Sequence, residues 1–421
     1  MIQVSPVVVH SVSMRGLSPA AGPPGVPARC RRHATPVARL EWRPGDPVGA
    51  GHTPAELVEF FLSEHGLPVR DLAAAGSGLD LPHGPGDVCG AALYVSAAAG
   101  AALAGASPGR STPVPEVPEI AAIVYAHSEY SVTQSSDLGS SSASASAQFA
   151  LEPWIPSWTE SDHAEAVAAV RDAIAVGDVY QVNVVGHAAA AYAGDPVPAL
   201  ERLARLRGAH YGGLISGEGW AIACASPETL VRVRAGIAQT RPIKGTAKAT
   251  EEGRAQLLAS AKERAEHVMI VDLERNDLAH VAQIGSVRVE ELFALKHWGD
   301  LWQAESTVTA RLRPGVGLAE LLVAVCPGGS VTGAPKLAAL AQIARLEPVG
   351  RGASMGALGW VGPDGLDLGL TIRTVAATPT QLHLWAGGGI TWGSDPAAEV
   401  AEAAAKAAPI KALLGAAPAA E

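Results

Sequence analysis

GGLISGEGWAIACASPETLVRVRAGIAQTRPIKGT, Gly212 to Thr246, decides the class of fold. Short apolar runs rich in Leu, Ile, Val and Trp are separated by SGEG, SPE, RAG and RPIKG, so strand follows strand with no helix between. Upstream, SDHAEAVAAVRDAIAVGDVYQVNVVGHAAA (161–190) reads as a serine-capped amphipathic helix reaching Gly177 and then a strand. Downstream, TEEGRAQLLASAKERAEHVMIVDLERNDLAHVA (250–282) reads as one long helix, and GSVRVEELFAL (285–295) returns to strand. Near the start, HTPAELVEFFLSEHGL (52–67) is a helix with a Thr-Pro opening, and residues 86–105 read as a strand leading into a small-residue segment. Strands and helices mixed without regular βαβ spacing indicate an α+β fold.

The 421 residues are 48% apolar and 17% charged, against a usual charged share of about 25%. A compact protein with a large core is expected. With 31 basic and 41 acidic residues the formal net charge is −10, which favours neither nucleic acid nor an anionic membrane; an anionic substrate needs a local cationic pocket. Cys30, Cys89, Cys224 and Cys326 lie far apart without C-x-x-C spacing, which argues against a zinc site or disulfide framework and for a reducing cytoplasm. No run approaches the roughly 18 apolar residues of a membrane span. SSDLGSSSASASAQ (135–148) is of low complexity, and the expected organisation is a flexible leader (1–40), an N-terminal portion (41–134), a linker (135–150) and a catalytic domain (151–415).

Several constellations have chemistry in them. Glu263 and Glu266 stand three apart on one helix face, as a solvated face or as half of a Mg²⁺ site. In SDPAAEVAEAAAK (394–406), Asp395 caps a helix opened by Pro396, and Glu399, Glu402 and Lys406 share a face. They form an exposed i,i+4 pair or, if the two helices meet, complete a set of four carboxylates. Gly387, Gly388 and Gly389 form either a tight turn between strands or a close backbone approach to an anion. PGGSVTGAPK (327–336) sets Ser330 and Thr332 among glycines at a helix start, where backbone donors favour a carboxylate or phosphate. Arg373 interrupts an apolar strand, either paired within the fold or clamping a substrate carboxylate. Glu228 follows a strand in SPE, a place for a general acid. Lys244, held between Pro-Ile and Gly-Thr, is a nucleophile or a surface amine.

Taken in order, GDVYQVN, SPE, TRPIKGT, KERAEHVMIVDLERNDL, PGGSVTGAPK, TIRT, AGGGI and SDPAAEVAEAAAK resemble the chorismate-utilising enzymes over residues 160–415. The resemblance implies two large sheets packed face to face with helices outside and the active site between them. It implies Mg²⁺ at Glu263, Glu266, Glu399 and Glu402, and substrate held by Arg373, Gly387 to Gly389, Lys406, Ser330 and Thr332. It implies Glu228 as the acid that helps the C4 hydroxyl depart.

Within that family, members that add water to chorismate are similar here but have a lysine base where this chain has Gln181, so ammonia is the expected nucleophile. Anthranilate synthases have alanine at the position of Lys244, whereas the aminodeoxychorismate synthases, which this chain resembles more closely, have lysine. The implied role is attack of the Lys244 amine on C2, after which ammonia enters at C4 and expels the lysine. The amine must be neutral to attack, and burial or nearby Arg241 favours that state. Gln303 replaces a histidine that the anthranilate branch ties to pyruvate loss, and Ser354 replaces an aromatic residue. No glutaminase motif is present, so the implied ammonia donor is a separate glutamine amidotransferase. The alternatives are anthranilate synthase component I and a non-catalytic chorismate-binding scaffold.

Overall fold

A computed structural model describes residues 34–48, 52–76, 84, 86–107, 109–127, 149–298 and 301–415. Strand β1 (Ala34–Trp42) and helix α1 (Pro54–Glu64) precede β2 (Val88–Val95), α2 (Ala97–Leu103) and β3 (Ile120–His127). Then come β4 (Ala150–Leu151), β5 (Ile155–Pro156), α3 (Glu160–Ala175), β6 (Gln181–Ala193) and α4 (Val197–Ala204). The stretch quoted first supplies β7 (Tyr211–Gly217), β8 (Trp220–Ser226), β9 (Thr229–Arg234), β10 (Ile237–Arg241) and β11 (Ile243–Lys248) without an intervening helix. After it run α5 (Glu251–Ala259), α6 (Ala261–Ala279), β12 (Arg288–Trp298), β13 (Leu301–Arg311), α7 (Leu318–Val325), β14 (Gly333–Ala334) and α8 (Lys336–Leu346). The chain closes with β15 (Ala357–Gly362), β16 (Gly365–Leu370), β17 (Thr374–Ala377), β18 (Gln381–Ile390) and α9 (Pro396–Gly415).

The strands make two antiparallel sheets. One has ten strands in the order β1-β3-β2-β15-β16-β9-β10-β13-β11, with β12 on β13; the other has eight in the order β14-β6-β18-β17-β8-β7, with β4 and β5 on β6. Leu93, Val231 and Leu368 of the first share one core with Val185, Ile222, Cys224 and Trp385 of the second. Tyr211 ties the sheets: its hydroxyl bonds Asp367 at 2.6 Å and Thr229 at 2.8 Å. Gly369 makes room for that ring, since a Cβ there would lie 2.3 Å from it. Helices α4 and α9 cover the outer face of the eight-stranded sheet through Leu200, Leu203, Ile410 and Leu414. Helix α6 lies along β12 and β13. The expected α+β architecture of two facing sheets and outer helices is the one found.

Local expectations needed correction where caps and registers decide. The long helix expected over 250–282 is two helices, because Ser260 leaves helical geometry and accepts the Glu263 N–H to cap α6. Helix α3 is capped by Thr159, reciprocally with Asp162, and not by Ser161. Gly387 to Gly389 form no turn; they continue β18, opposite Val185, Val184 and Asn183. The PGGSVTGAPK loop makes a 3₁₀ turn at Gly329–Val331 and then β14, so α8 begins only at Lys336. Residues 34–40, expected in the leader, belong to β1, and β1 to β3 join the sheet that contains β9 and β10. The remainder of the expected leader (1–33) and the low-complexity stretch 135–148 lie outside the described residues.

Candidate active site

Lys244 stands on a bulge. The β11–β13 register runs Ile243 to Glu305 and then Thr246 to Gln303, which leaves Lys244 and Gly245 irregular. Gly245 has φ +82°, and a Cβ there would meet Leu257 at 2.6 Å. A bulge re-aims the side chain it contains, and here that side chain is the lysine. Its Nζ lies 3.0 Å, and Gln181 Nε2 2.5 Å, from where a Cβ on Gly389 would be. Only glycine lets the Lys244 amino group, the Gln181 amide and the β18 backbone converge. Gln181 is 1% exposed, and neither polar atom of its amide has a partner. Such a group costs about 1–3 kcal/mol if left unpaired, so it points to a polar ligand. Arg241 lowers the carboxyls of Glu305 and Glu291 and the imidazole of His210 by its charge.

Glu228 follows β8 and is buried, and the Ser330 hydroxyl donates to its Oε1 at 2.7 Å. Burial pushes its carboxyl up to about 7, against the Ser330 bond and the charges of Lys244 and Arg373. A carboxyl that titrates near neutrality can deliver a proton. Arg373 does not sit within a strand. It occupies the link between β16 and β17 at φ +49°, a conformation costing about 1–3 kcal/mol for a side chain of this kind. Its guanidinium faces Glu228, while burial disfavours its charge. Thr332 is turned away from this group: its hydroxyl donates to Gly328 O at 2.9 Å and so braces its own loop.

The expected carboxylates form two sets at the end of β18. Glu263 Oε2 lies 3.2 Å from the Cβ position of Gly245. Glu266 accepts from Thr391 Oγ1 at 3.3 Å. From α9, Glu399 Oε2 lies 3.2 Å, Lys406 Nζ 3.6 Å and Glu402 Oε1 3.8 Å from where a Cβ on Gly388 would be. Lys406 pairs with Glu402 at 2.8 Å and donates to Gly387 O at 2.9 Å. The convergence of all four carboxylates does not occur: among the described residues no three His, Cys, Asp or Glu side chains form a group that could hold a metal. Glu402 is drawn to Lys406 and Glu266 to Thr391 instead. The donor set still suits Mg²⁺, which takes a few carboxylates and completes its shell with water and substrate oxygens. Glu266 and Glu399 are the buried members.

Other residues of the site were not singled out by sequence. Thr391 links β18 to α6. His267, fully buried, lies against the Lys244 backbone and 2.5 Å from Ser306 Oγ; burial pushes its imidazole down to about 4. Glu347 and Arg351 form a buried pair at 2.7 Å. Arg351 also donates to Val331 O at 2.5 Å and Asn183 O at 2.9 Å, and Glu347 accepts from Val185 N at 3.0 Å, which fixes the Ser330 loop to β6. Of these only the i,i+4 spacing of Glu347 and Arg351 was visible beforehand. Ser354 is buried and donates to Thr371 O at 3.1 Å, and Gln303 is buried on β13.

Residues 117–412 match the family described as chorismate binding enzyme. Aminodeoxychorismate synthase component 1 of Salmonella typhimurium is 41% identical over 256 residues, 59% of this chain and 56% of that protein. Anthranilate synthase component 1 of Streptomyces coelicolor is 38% identical over 268 residues, 62% of this chain and 52% of that protein. The chain thus spans little more than half the length of these relatives. A crystal structure of anthranilate synthase component I from Streptococcus pneumoniae superposes with a TM-score of 0.73 at 24% identity, over 90% of this chain and 92% of that one, and so shares its fold. By the extent of the family match, the chain belongs to the chorismate binding enzymes.

Proposed function

We propose that the chain converts chorismate and ammonia to 4-amino-4-deoxychorismate, the precursor of p-aminobenzoate, as the component 1 partner of a glutamine amidotransferase. The observation that carries this reading is the bulge that brings Lys244 Nζ to Gly389 beside the unpaired amide of Gln181. In this mechanism the Lys244 amine forms a bond to C2, both ring double bonds shift by one position, and the C4–O bond breaks. Glu228 donates its proton to that oxygen, which leaves as water. Ammonia then bonds to C4, the C2–N bond breaks with its electron pair returning to Lys244, and the surplus proton on the new amine returns to Glu228. Arg373, Gln181 and the backbone of Gly387 to Gly389 orient the substrate. Glu266 and Glu399, with Glu263 and Glu402 as further donors, are the residues that would hold Mg²⁺, which would supply positive charge for a substrate carboxylate.

The names of the similar proteins support a chorismate enzyme with a second component. Among the described residues the free cysteines Cys89, Cys224 and Cys326 are buried, and no helix is long and apolar enough to cross a membrane; both agree with work in the cytoplasm. A second reading, anthranilate formation, is kept by the 38% identity to an anthranilate synthase component 1. Incubating the protein with chorismate, Mg²⁺ and ammonium salt and resolving products by mass spectrometry tests the choice. An aminated product that retains the enolpyruvyl group is expected. Anthranilate would reject the proposal, and chorismate binding without any product, even with an amidotransferase added, would favour a scaffold.

A further inference from the structure

Asn183 carries a buried acceptor that the chemistry above leaves without a task. The residue is 7% exposed, and its Oδ1 has no hydrogen-bond partner among the described residues. It lies on β6 two residues after Gln181, so both side chains leave the strand on one face, the face on which Val185 enters the core between the sheets. The residue directly opposite it on β18 is Gly389. Opposed residues carry their Cβ positions on the same face about 4.5–5.5 Å apart, and the Cβ position of Gly389 is the point on which Lys244 Nζ and Gln181 Nε2 converge. The direction of the Asn183 amide follows from its other end, because β6 runs between β14 and β18. On the β14 side, Asn183 Nδ2 donates to Ser330 O at 3.4 Å and the Asn183 backbone N–H donates to Thr332 O at 2.7 Å. The oxygen and nitrogen of an amide diverge from one carbon, so with the nitrogen turned to the loop the oxygen turns towards Gly389.

Building on the amination reading above, we propose that Asn183 Oδ1 and Gln181 Oε1 form the receiving site for ammonia, with Asn183 holding it for attack on C4. Asn183 is placed between the two ends of that reaction. Ser330, whose main-chain oxygen it binds, donates its hydroxyl to Glu228, the acid for the C4 oxygen, and Gly389, opposite it, adjoins Lys244, the nucleophile for C2. Ammonia has three N–H donors and one lone pair. Two amide oxygens accept two of the donors and leave the lone pair free for C4. A carboxylate in the same place would favour ammonium, whose nitrogen has no lone pair to give. As the C4–N bond forms, the C2–N bond breaks and the surplus proton passes to Glu228, so no further reactant is needed.

Two half-reactions separate this role from a structural one. Formation of the Lys244 adduct from chorismate needs Lys244, Glu228 and Ser330 but no ammonia, whereas discharge of the adduct by added ammonium needs the receiving site; peptide mass spectrometry over time follows both. Asn183→Leu removes the acceptor at similar size, and Asn183→Asp puts a carboxylate in its place. Both variants are expected to form the adduct at close to the wild-type rate and to discharge it about tenfold more slowly at one subsaturating ammonium concentration. In steady state the KM for ammonium rises while the KM for chorismate changes little. Slowing of adduct formation by the same factor would mean that Asn183 acts on Ser330, Lys244 or chorismate, and overturns the proposal; so does discharge that neither variant slows. If wild type aminates chorismate without forming an adduct, the covalent role of Lys244 fails, and the split between the two KM values still decides Asn183. No aminated product from wild type in ammonium salt overturns both.

Discussion

Replacing Glu228 by glutamine should make the protein more stable while making it less active, and the size of the effect follows from one displaced titration. Burial raises this carboxyl from 4.5 to about 7, and at about 1.36 kcal/mol per unit the folded state loses roughly 3 kcal/mol once the group must ionise. Because the folded value is the higher one, the penalty is absent below about pH 4.5, grows as pH rises, and is complete above about pH 7. Glutamine mimics the protonated acid, with one acceptor for Ser330 and a neutral donor, and never incurs that penalty. Urea unfolding of both proteins at acid and at mildly alkaline pH should therefore show near-equal stability in acid and an advantage of roughly 3 kcal/mol for Glu228→Gln above neutrality. The shift in Tm is about 3 °C for a chain of this size. Glu347 is also displaced upward, but it is present in either protein and cancels in the difference, whereas Glu274, raised in part by the Glu228 charge, is relieved by the substitution and adds in the same direction. Turnover should fall by about 10²–10⁴-fold with the acid removed. A stability difference that is the same at both pH values would mean that Glu228 is not held protonated by burial, and the general-acid argument would fail with it.

Gly389→Ala inserts a methyl 2.5 Å from Gln181 Nε2 and 3.0 Å from Lys244 Nζ; steady-state kinetics should show lost turnover, while thermal unfolding changes by no more than about 1–3 kcal/mol. Arg351→Ala strands Glu347 in the interior and should cost about 3–5 kcal/mol in urea unfolding, whereas replacing both partners by apolar residues of similar volume should recover much of that. Thr391→Val removes the donor to Glu266, and activity titrated against Mg²⁺ should need a higher concentration for half-maximal rate, by about tenfold or more.

The parts of the fold that follow from local chemistry were legible. Turn residues between apolar runs gave β7 to β11 as successive strands, and Asp395 does cap α9, with the Ala398 N–H bonding its Oδ1 at 2.9 Å. Helical spacing set Glu263 with Glu266 and Glu399 with Glu402 before any tertiary information. What the sequence hid depends on register and burial. Gly245 looked like turn chemistry, and only pairing with β13 makes it the hinge of a bulge that turns Lys244 inward. Arg373 is in the left-handed region because β16 and β17 belong to different sheets and the chain must cross between them. Glu274 lies in a charged run that reads as a solvated helix face, yet it is buried by elements distant in sequence, as are Glu347 and Arg351. The threonine after the glycine strand carried no signal at all.

The central claim is that Lys244 bonds covalently to the substrate. Incubation of the protein with chorismate and Mg²⁺ in the absence of ammonia, followed by peptide mass spectrometry, tests it directly. The account predicts a mass gain of chorismate less one water on the peptide containing Lys244, absent in Lys244→Ala and discharged when ammonium is added. An unmodified Lys244, in a protein that nonetheless aminates chorismate when ammonium is supplied, would contradict it.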